Sequence, residues 1–270
     1  MQRGRGRLDG KVAIVTGAGS SGPGLGTGKA ASILFAREGA RVLLADREAP
    51  RAEETLATIR EEGGVASVFE ADVTVAEDCR AMVNAAVERY GSLEILFNNV
   101  GIVASGSVVD VSEEDWDRVL DVNLKSMMLT SKYAVPKMVE AGGGSIINMS
   151  SIEAMRSGAI GAVIPYSVSK GGVMALTTQM AVQHGRDNIR VNCLAPGFLY
   201  TPMVAHFLTE EARELRRLTA PLGTEGTAWD VAWATVFLAS EEARWISGVV
   251  LPVDAGLLAA SPLAMLPHLR

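Results

Sequence analysis

The sequence predicts an α/β protein with a doubly wound parallel sheet of about seven strands and helices on both faces. Short β-branched runs alternate with helical patterns along the chain, and glycines follow several of these segments. This alternation is typical of parallel sheets whose faces are covered by crossover helices. No linker, low-complexity tract or repeat interrupts the series, so we predict a single domain over residues 1–270.

The predicted strands share runs of aliphatic and β-branched residues bounded by turn residues. They cover Lys11–Thr16, Arg41–Asp46, Val65–Asp72, Leu93–Asn98, Ser145–Met149, Ile189–Leu194 and Val249–Val253. The helical patterns cover Thr27–Glu38, Arg51–Glu62, Val75–Tyr90, Glu113–Glu140, Tyr166–His184, Thr209–Thr219 and Thr227–Ser240. Ligands of such sheets bind beyond the carboxyl ends of the strands, which makes the residues directly after each strand the candidates for a site.

Composition excludes several classes of protein. Apolar residues make up 48% and charged residues 21% of 270 residues, as in globular domains. The net charge of −6 argues against nucleic acid or an anionic membrane as partner. Arg3, Arg5 and Arg7 alternate with other residues in a segment, 1–7, that we expect to be a flexible tail. The apolar stretch Gly248–Leu269 contains Asp254 and three prolines, which argues against a membrane span.

The cysteines and histidines indicate no metal site. Cys79 and Cys193 lie far apart and form neither a disulfide framework nor a metal-binding spacing. The three histidines have no metal-like spacing either. Reduced thiols and the lack of a signal-peptide pattern lead us to expect a cytoplasmic protein.

The first strand is followed by a glycine-rich turn that predicts a dinucleotide site. The segment from Thr16 reads Thr-Gly-Ala-Gly-Ser-Ser-Gly-Pro-Gly-Leu-Gly-Thr-Gly and opens a helix near Gly28. Glycines allow the backbone to approach a pyrophosphate, and the helix N-terminus offers free N–H groups to it. The four candidates for this contact are Gly17, Gly19, Gly26 and Gly28.

Asp46 ends the second strand, where an acidic residue accepts hydrogen bonds from the adenosine ribose. A carboxylate there would repel a 2′-phosphate, so we predict NAD and regard NADP as the less favoured cofactor. Arg47 follows directly and offers a cation that weakens this preference.

Several separated motifs resemble those of the short-chain dehydrogenase/reductase family, in the family's order. They are Thr16-Gly17 with Gly26 and Gly28, Ala71-Asp72-Val73, Asn98-Asn99-Val100-Gly101, Asn123 in a Val-Asn-Leu segment, Ser151, Tyr166 with Lys170, Pro196-Gly197 with Thr201, and Val253-Asp254-Ala255-Gly256. The resemblance implies a Rossmann-type fold, an NAD(P)-dependent oxidoreductase and a homotetramer. It also implies cofactor contacts from Asp72, Val73, Asn99, Gly101, Tyr166, Lys170, Pro196, Gly197 and Thr201.

The chain departs from the family pattern in three places, of which one is Val100 where the family motif has alanine. The glycine turn is about five residues longer than the usual form. Ser151 lies 15 residues before Tyr166, slightly more than is common in the family. We therefore expect a reshaped segment between Ser151 and Tyr166 on the substrate side.

Tyr166 and Lys170 lie one helical turn apart, so both side chains face the same side. A nearby ammonium and the helix N-terminus favour the phenolate, which suits Tyr166 as acid and base in hydride transfer. Ser151 is placed to donate a hydrogen bond to the substrate oxygen, with Ser150 as the competing candidate. The resemblance implies that Lys170 holds the nicotinamide ribose and that Asn123 supports a proton relay with it.

Substrate residues are the least determined part of the prediction. We expect Ile152, Met155, Val163, Phe198 and Phe207 to line an apolar pocket, with residues 198–220 as a lid. These residues favour a medium-sized secondary alcohol or ketone, while Arg156 leaves an acidic substrate open. The apolar extension 257–270 suggests a subunit interface.

Three functions remain open. The first is an NAD-dependent alcohol dehydrogenase or ketone reductase acting on a small molecule. The second is an NADPH-dependent reductase resembling 3-oxoacyl carrier-protein reductase, against which Asp46 argues. The third is a non-catalytic nucleotide-binding or sensing protein, against which the set of Ser151, Tyr166 and Lys170 argues.

Overall fold

A computed structural model describes residues 6–158, 161–206 and 208–269 of the chain. Seven strands form one sheet in the order β3-β2-β1-β4-β5-β6-β7, and every neighbouring pair is parallel. The predicted fold class is confirmed. The strands are β1 (Val12–Thr16), β2 (Arg41–Asp46), β3 (Val65–Glu70), β4 (Ile95–Asn98), β5 (Gly144–Met149), β6 (Ile189–Pro196) and β7 (Val250–Val253).

Helices connect the strands and cover both faces of the sheet. They are α1 (Thr27–Arg37), α2 (Ala49–Glu61), α3 (Ala76–Tyr90), α4 (Glu113–Leu120), α5 (Ser126–Glu140), α6 (Ile164–His184), α7 (Pro202–Ala205), α8 (Glu210–Thr219), α9 (Ala228–Ala239) and α10 (Pro262–Met265). Short 3-10 turns cover Ile152–Ala154, Gly185–Asp187, Glu241–Ala243 and Leu266–His268.

The central strands are apolar throughout because both of their faces are buried. In β1, Ala13 and Val15 belong to the core on the side of α1, α2 and α9. Val12 and Ile14 belong to the core on the side of α3, α5 and α6. Continuous apolar runs of this kind are what a sheet covered on both sides requires.

The order of strands reverses between β1 and β4, which are neighbours in the sheet although β2 and β3 separate them in sequence. Connections from these two strands leave in opposite directions, so a crevice opens beyond their carboxyl ends. Both the glycine turn after β1 and the Asn99 segment after β4 lie at this switch point.

The long helical pattern Glu113–Glu140 is interrupted rather than continuous. Between α4 and α5 the residues Asp121–Lys125 form a π-helical turn, which contains the buried side chain of Asn123. Single π-turns inside helices rotate the following residues and are frequent at functional sites. The helix α6 begins two residues earlier than the sequence pattern indicates, with Pro165 in its first turn.

The first described residues are attached to the end of α1 and to the 3-10 turn after α9. Arg7 donates its backbone N–H to Glu38 (2.9 Å) and pairs its guanidinium with Glu242. Residues 1–5 of the expected tail lie outside the described residues. In the C-terminal extension, Leu263 of α10 and Leu266 of the following 3-10 turn are exposed. Among the described residues, no helix is long and apolar enough to cross a membrane.

Candidate active site

The glycine turn is closed on itself at points where a side chain would not fit. A Cβ on Gly28 would lie 1.9 Å from the carbonyl oxygen of Gly17, and one on Gly19 would lie 2.5 Å from Cβ of Arg51. Gly17 has φ of +64°, the left-handed region that glycine favours. These three glycines are therefore required by the backbone path itself, which brings the N-terminus of α1 against the end of β1.

The residues that lengthen the turn form a small loop fastened by Ser20. The Ser20 hydroxyl accepts from the N–H of Gly26 (2.9 Å) and donates to the carbonyl of Gly24 (3.2 Å). A Cβ on Gly24 would lie 3.5 Å from Cγ of Pro202, the first residue of α7. The added length thus extends from the turn towards the start of the expected lid.

Asn99 joins the ends of β1 and β4. Its side-chain amide donates to the carbonyls of Thr16 (3.1 Å) and Gly17 (3.2 Å), and its oxygen accepts from the hydroxyl of Thr27 (2.6 Å). One side chain therefore fixes the first residues of the turn and the first residue of α1. This role explains why an amide stands at a position that the family resemblance assigns to cofactor binding.

Asp46 lies at the end of β2 and is half-buried. Its carboxylate accepts from the backbone N–H of Gly19 (3.0 Å) and of Glu48 (3.0 Å). These bonds place a negative charge beside the glycine turn, at the position where a ribose diol binds in this type of fold. Arg47 is exposed.

The remaining predicted cofactor residues follow β3, β4 and β6. Asp72 accepts from the N–H of Thr74 (2.9 Å) in the turn that leads into α3, and Val73 is buried. Directly after β6, the N–H of Gly197 donates to the carbonyl of Val253 (2.9 Å), and a Cβ on Gly197 would lie 2.7 Å from Cα of Asp254. Thr201 is the residue before the first turn of α7.

Ser151, Tyr166 and Lys170 come together at the end of β5. The Ser151 side chain lies close enough to the phenol group of Tyr166 to act on its pKa through hydrogen bonding. The Lys170 ammonium lies 5.6 Å from the centroid of the Tyr166 ring and donates to the carbonyl of Met149 (2.8 Å). The spacing of four residues on α6 and the position directly after β5 thus produce one constellation.

The structure separates Ser150 from Ser151. The Ser150 hydroxyl donates to the backbone carbonyl of Lys170 (2.7 Å), so it ties β5 to α6. The Ser151 hydroxyl faces Tyr166 instead and accepts from the N–H of Glu153 (3.2 Å). Geometry therefore favours Ser151 as the residue that contacts a substrate oxygen.

Asn123 is held between two neighbouring segments. Its oxygen accepts from the N–H of Ile102 (2.8 Å), and its amide donates to the carbonyl of Ile102 (2.9 Å) and to the hydroxyl of Ser169 (3.0 Å). A Cβ on Gly101 would lie 3.2 Å from Nζ of Lys170 and 3.6 Å from Oδ1 of Asn123. Asn123 and Lys170 therefore both lie close to the position that a side chain of residue 101 would occupy, and a Cβ there would crowd the Lys170 ammonium.

Burial changes the proton affinities of the pair on α6. The pKa of Tyr166 is raised above its ordinary value, first because its phenol group is desolvated, and the hydrogen bond from Ser151 only partly opposes this. The expectation that the nearby ammonium lowers the pKa of Tyr166 is therefore wrong for the protein alone. Burial also lowers the pKa of Lys170 to about 8, which weakens the ammonium that was expected to favour phenolate.

The predicted substrate residues are spread over different environments. Ile152 is buried, whereas Met155 is 51% exposed. Val163 forms a bridge with Gly106, which attaches the segment before α6 to the loop after β4. Phe198 is half-buried beside Gly158, and Phe207 lies outside the described residues.

Two charged residues on the substrate side were missed in the sequence. Glu153 lies two residues after Ser151, and Arg216 of α8 stacks over the ring of Phe198 at 4.8 Å from its centroid. Arg156, the cation considered for an acidic substrate, donates to the carbonyls of Ala260 (2.7 Å) and Leu257 (3.2 Å) instead. Glu153 was visible in the sequence as a charge near Ser151. No sequence pattern indicates that Phe198 and Arg216 of α8 lie on the same side of the site.

Among the described residues, no group of three or more His, Cys, Asp or Glu side chains could hold a metal ion. Both cysteines are buried, and burial raises the pKa of each thiol to about 11.

Residues 23–258 match the family model described as enoyl-(acyl carrier protein) reductase. The chain is 37% identical to 3-oxoacyl-[acyl-carrier-protein] reductase of Thermotoga maritima over 93% of its own length and 99% of the relative's. It is 36% identical to cyclohexanol dehydrogenase of an Acinetobacter species, over 92% of this chain and 95% of that one. The protein belongs to the short-chain dehydrogenase/reductase family, and the resemblance stated from its motifs is confirmed.

Solved structures agree with this assignment. A short-chain dehydrogenase/reductase from Burkholderia xenovorans superimposes with a TM-score of 0.90 at 39% identity, covering 95% of this chain and 99% of that one. A short-chain alcohol dehydrogenase from Sinorhizobium meliloti gives a TM-score of 0.87 at 34% identity, covering 94% and 98%. The protein is thus an oxidoreductase of a family that uses NAD or NADP.

The residues after β1 and β2 fit such a nicotinamide dinucleotide. The closed glycine turn leaves backbone uncovered by side chains at the N-terminus of α1, where a pyrophosphate is favoured. The carboxylate of Asp46 lies beside it for a ribose, and Lys170 has two further N–H donors besides the one that bonds Met149.

Proposed function

We propose that the protein transfers a hydride between NAD(H) and a secondary alcohol or ketone, with Tyr166 as general acid and base. The observation that carries this proposal is the contact of Ser151 with Tyr166, beside Lys170 and next to the glycine turn. The bound cofactor supplies or accepts the hydride. The protein supplies the proton path and the orientation.

In ketone reduction, Tyr166 donates its phenolic proton to the substrate oxygen as negative charge develops there, and Ser151 donates a second hydrogen bond to that oxygen. In alcohol oxidation the same phenol oxygen accepts the proton. The raised pKa of Tyr166 keeps the proton on the phenol at neutral pH, which favours the acid role. Lys170, with its pKa lowered to about 8, can return a proton to the Tyr166 phenol group, because its ammonium lies 5.6 Å from the centroid of the ring.

The test uses purified protein with a panel of secondary alcohols and NAD, and the corresponding ketones with NADH. We expect activity on at least one pair and a loss of about 1,000-fold or more in kcat/KM for Tyr166→Phe. Tyr133→Phe, which changes a tyrosine of α5 packed beside the core, is the matched control. Full activity of Tyr166→Phe would remove the proposed role.

We further propose NAD as the preferred cofactor, which Asp46 supports through its charge beside the turn. Fluorescence titration should show NADH binding more tightly than NADPH. Asp46→Ser should reduce that preference, because the 2′-phosphate no longer meets a carboxylate. Equal or tighter binding of NADPH by the unchanged protein would contradict the assignment.

A second candidate is an NADPH-dependent reductase of 3-oxoacyl carrier-protein substrates. It is favoured by the 37% identity to the Thermotoga maritima enzyme of that name. An acyl carrier is acidic, and the net charge of −6 on this chain argues against its docking. Reduction of acetoacetyl carrier protein with NADPH, faster than any simple ketone with NADH, would establish this candidate instead.

We also propose that the active form is a cytoplasmic homo-oligomer, a tetramer by family analogy, with the extension after Gly256 at a subunit contact. The exposed side chains of Leu263 (76% exposed) in α10 and Leu266 (50% exposed) in the turn after it support this, since water-exposed leucines gain from burial. Deletion of residues 261–270 should lower the number of subunits per particle, as calculated from the mass measured in solution. An unchanged number of subunits would contradict the proposed contact.

A further inference from the structure

The turn after β5 contains a carboxylate that the proposed mechanism does not use. Glu153 belongs to the 3-10 turn Ile152–Ala154, directly after Ser151. Its backbone N–H donates to the Ser151 hydroxyl (3.2 Å), and its side chain accepts from the N–H of Gly158 (3.4 Å). Oxygen Oε1 of Glu153 is buried from solvent. The carboxylate therefore spans the turn that positions Ser151.

The helix α8 brings a cation to the same place. Arg213 and Arg217 of this helix form ion pairs with Glu225 and Glu214. Arg216 lies between them, half-buried, with its guanidinium over Phe198 and its charge acting on Glu153 and on Glu225. Gly158 lies against the same phenylalanine ring, because a Cβ on Gly158 would lie 3.4 Å from Cζ of Phe198. The expected lid and the Ser151 turn thus meet at the ring of Phe198, which lies under Arg216 and beside Gly158 and the Glu153 carboxylate.

We propose that Glu153 is a positioning residue of the active site, which holds the turn of Ser151 through Gly158 and, balanced by Arg216 of α8, sets the pH range in which Tyr166 exchanges its proton. This inference rests on the proposed role of Tyr166. The segment between Ser151 and Tyr166, which was expected to be reshaped on the substrate side, then also positions Ser151.

Every charged group around Tyr166 acts in a definite direction. Glu153 disfavours the phenolate and raises the pKa of Tyr166, in addition to the larger effect of desolvation. Lys170 of α6 faces the ring from within and is itself next to Cys193 of β6. Arg216 of α8 stacks on Phe198, whose ring lies with Oε1 of Glu153 against Gly158, so its positive charge acts against the charge of Glu153. Removing Glu153 or Arg216 should therefore move the titration of Tyr166 in opposite directions.

The experiment compares Glu153→Gln, Arg216→Gln and unchanged protein in the pH dependence of kcat/KM for alcohol oxidation. Glutamine at position 153 keeps an acceptor for the Gly158 N–H and removes the charge. In this profile, kcat/KM should rise at a pH about one unit lower for Glu153→Gln than for the unchanged protein. For Arg216→Gln it should rise at a pH about half a unit higher. Glu153→Asp should restore the original profile. Arg217→Gln, with the same loss of charge one residue away, should leave it in place.

A second measurement separates failure of this inference from failure of the proposed function. Ultraviolet difference titration of tyrosine ionisation, with the signal of each Tyr166→Phe counterpart subtracted, follows the Tyr166 phenolate without any substrate. Phenolate should form at lower pH in Glu153→Gln than in the unchanged protein. Coincident titrations, or profiles that move in the same direction for both substitutions, would overturn the role of Glu153 even if Tyr166 is the catalytic acid.

Discussion

The cofactor side and the substrate side of the crevice differ in what holds them in place. On the cofactor side the backbone is in contact with itself, as where Gly28 meets the carbonyl of Gly17. On the substrate side the contacts join side chains from distant segments, as where Arg216 of α8 meets Phe198 and the charge of Glu153. The cofactor side leaves no space for a Cβ at Gly19 or Gly28, whereas the substrate side is adjustable by exchanging side chains.

This difference follows from the task of each region. A pyrophosphate is recognised by backbone N–H groups, so its site requires a particular chain path and few side chains. A substrate is recognised by the side chains that surround it, and the family relatives named for carrier-protein and cyclohexanol substrates share this fold. The same scaffold can therefore keep its cofactor site while the substrate side changes.

The largest effect is expected from Gly28→Ala on the cofactor side. The new Cβ would lie 1.9 Å from the Gly17 oxygen and 2.7 Å from Nδ2 of Asn99, so the turn or the start of α1 must shift. We expect NADH binding to weaken by about 100-fold or more, as measured by fluorescence titration. Gly185→Ala is the control, because no atom lies within 4 Å of a Cβ there. NADH affinity within about twofold of the unchanged protein would show that the closed turn is not needed.

The contrast also explains which parts of the molecule the sequence predicts. The strands, the glycine turn and the Tyr166–Lys170 pair follow from local patterns, because hydrophobic period and residue spacing act over a few residues. The partners of Glu153 and Arg216 depend on how α8 packs against a turn about 60 residues earlier in the chain, and no local pattern specifies that packing. The π-turn at Asp121–Lys125 was missed for a related reason, since the apolar pattern of the region is that of one long helix.

The raised pKa of Tyr166 was missed in the sequence for a physical reason. Spacing shows that Lys170 is near, but it does not show how far the protein removes both groups from water. Desolvation acts on the two groups in opposite senses, raising the pKa of Tyr166 and lowering that of Lys170 to about 8. The effect of the Lys170 charge on the pKa of Tyr166 is therefore overestimated when it is inferred from spacing alone, because desolvation is left out.

A smaller but more specific effect is expected from two neighbouring serines at the boundary between the regions. Ser151→Ala removes the group that faces Tyr166 and should lower kcat/KM by about 100-fold. Ser150→Ala removes the bond to the Lys170 carbonyl and should lower the free energy of unfolding by about 1 kcal/mol, with kcat/KM within a few-fold of its original value. Parallel steady-state kinetics and denaturant titration of both variants would check this. The reverse assignment of the two losses would place Ser150, not Ser151, at the substrate.

The smallest effect is on stability and concerns Lys170, which lies between the two regions. Its pKa falls from 10.5 to about 8 on burial, so the folded protein binds the proton less tightly than the unfolded chain does. Below about pH 8 this costs stability, and the cost disappears as pH rises from about 8 to 10.5. Lys170→Met keeps an unbranched side chain in the same space and removes the buried charge, but it leaves the Met149 carbonyl without this donor.

We therefore expect Lys170→Met to be inactive when assayed with cofactor. In the absence of cofactor, its free energy of unfolding at pH 7 should exceed that of the original protein by about 2 kcal/mol. The difference should shrink as the pH is raised towards 10, because the original protein then loses the cost of its buried ammonium. Denaturant titrations at a series of pH values measure this directly, with Lys132→Met of α5 as a control for an ordinary lysine. A constant difference, or a less stable variant at every pH, would mean that Lys170 is not held at a cost. A difference that shrinks with pH would show that the residue joining the two regions is retained for its chemistry against its effect on folding.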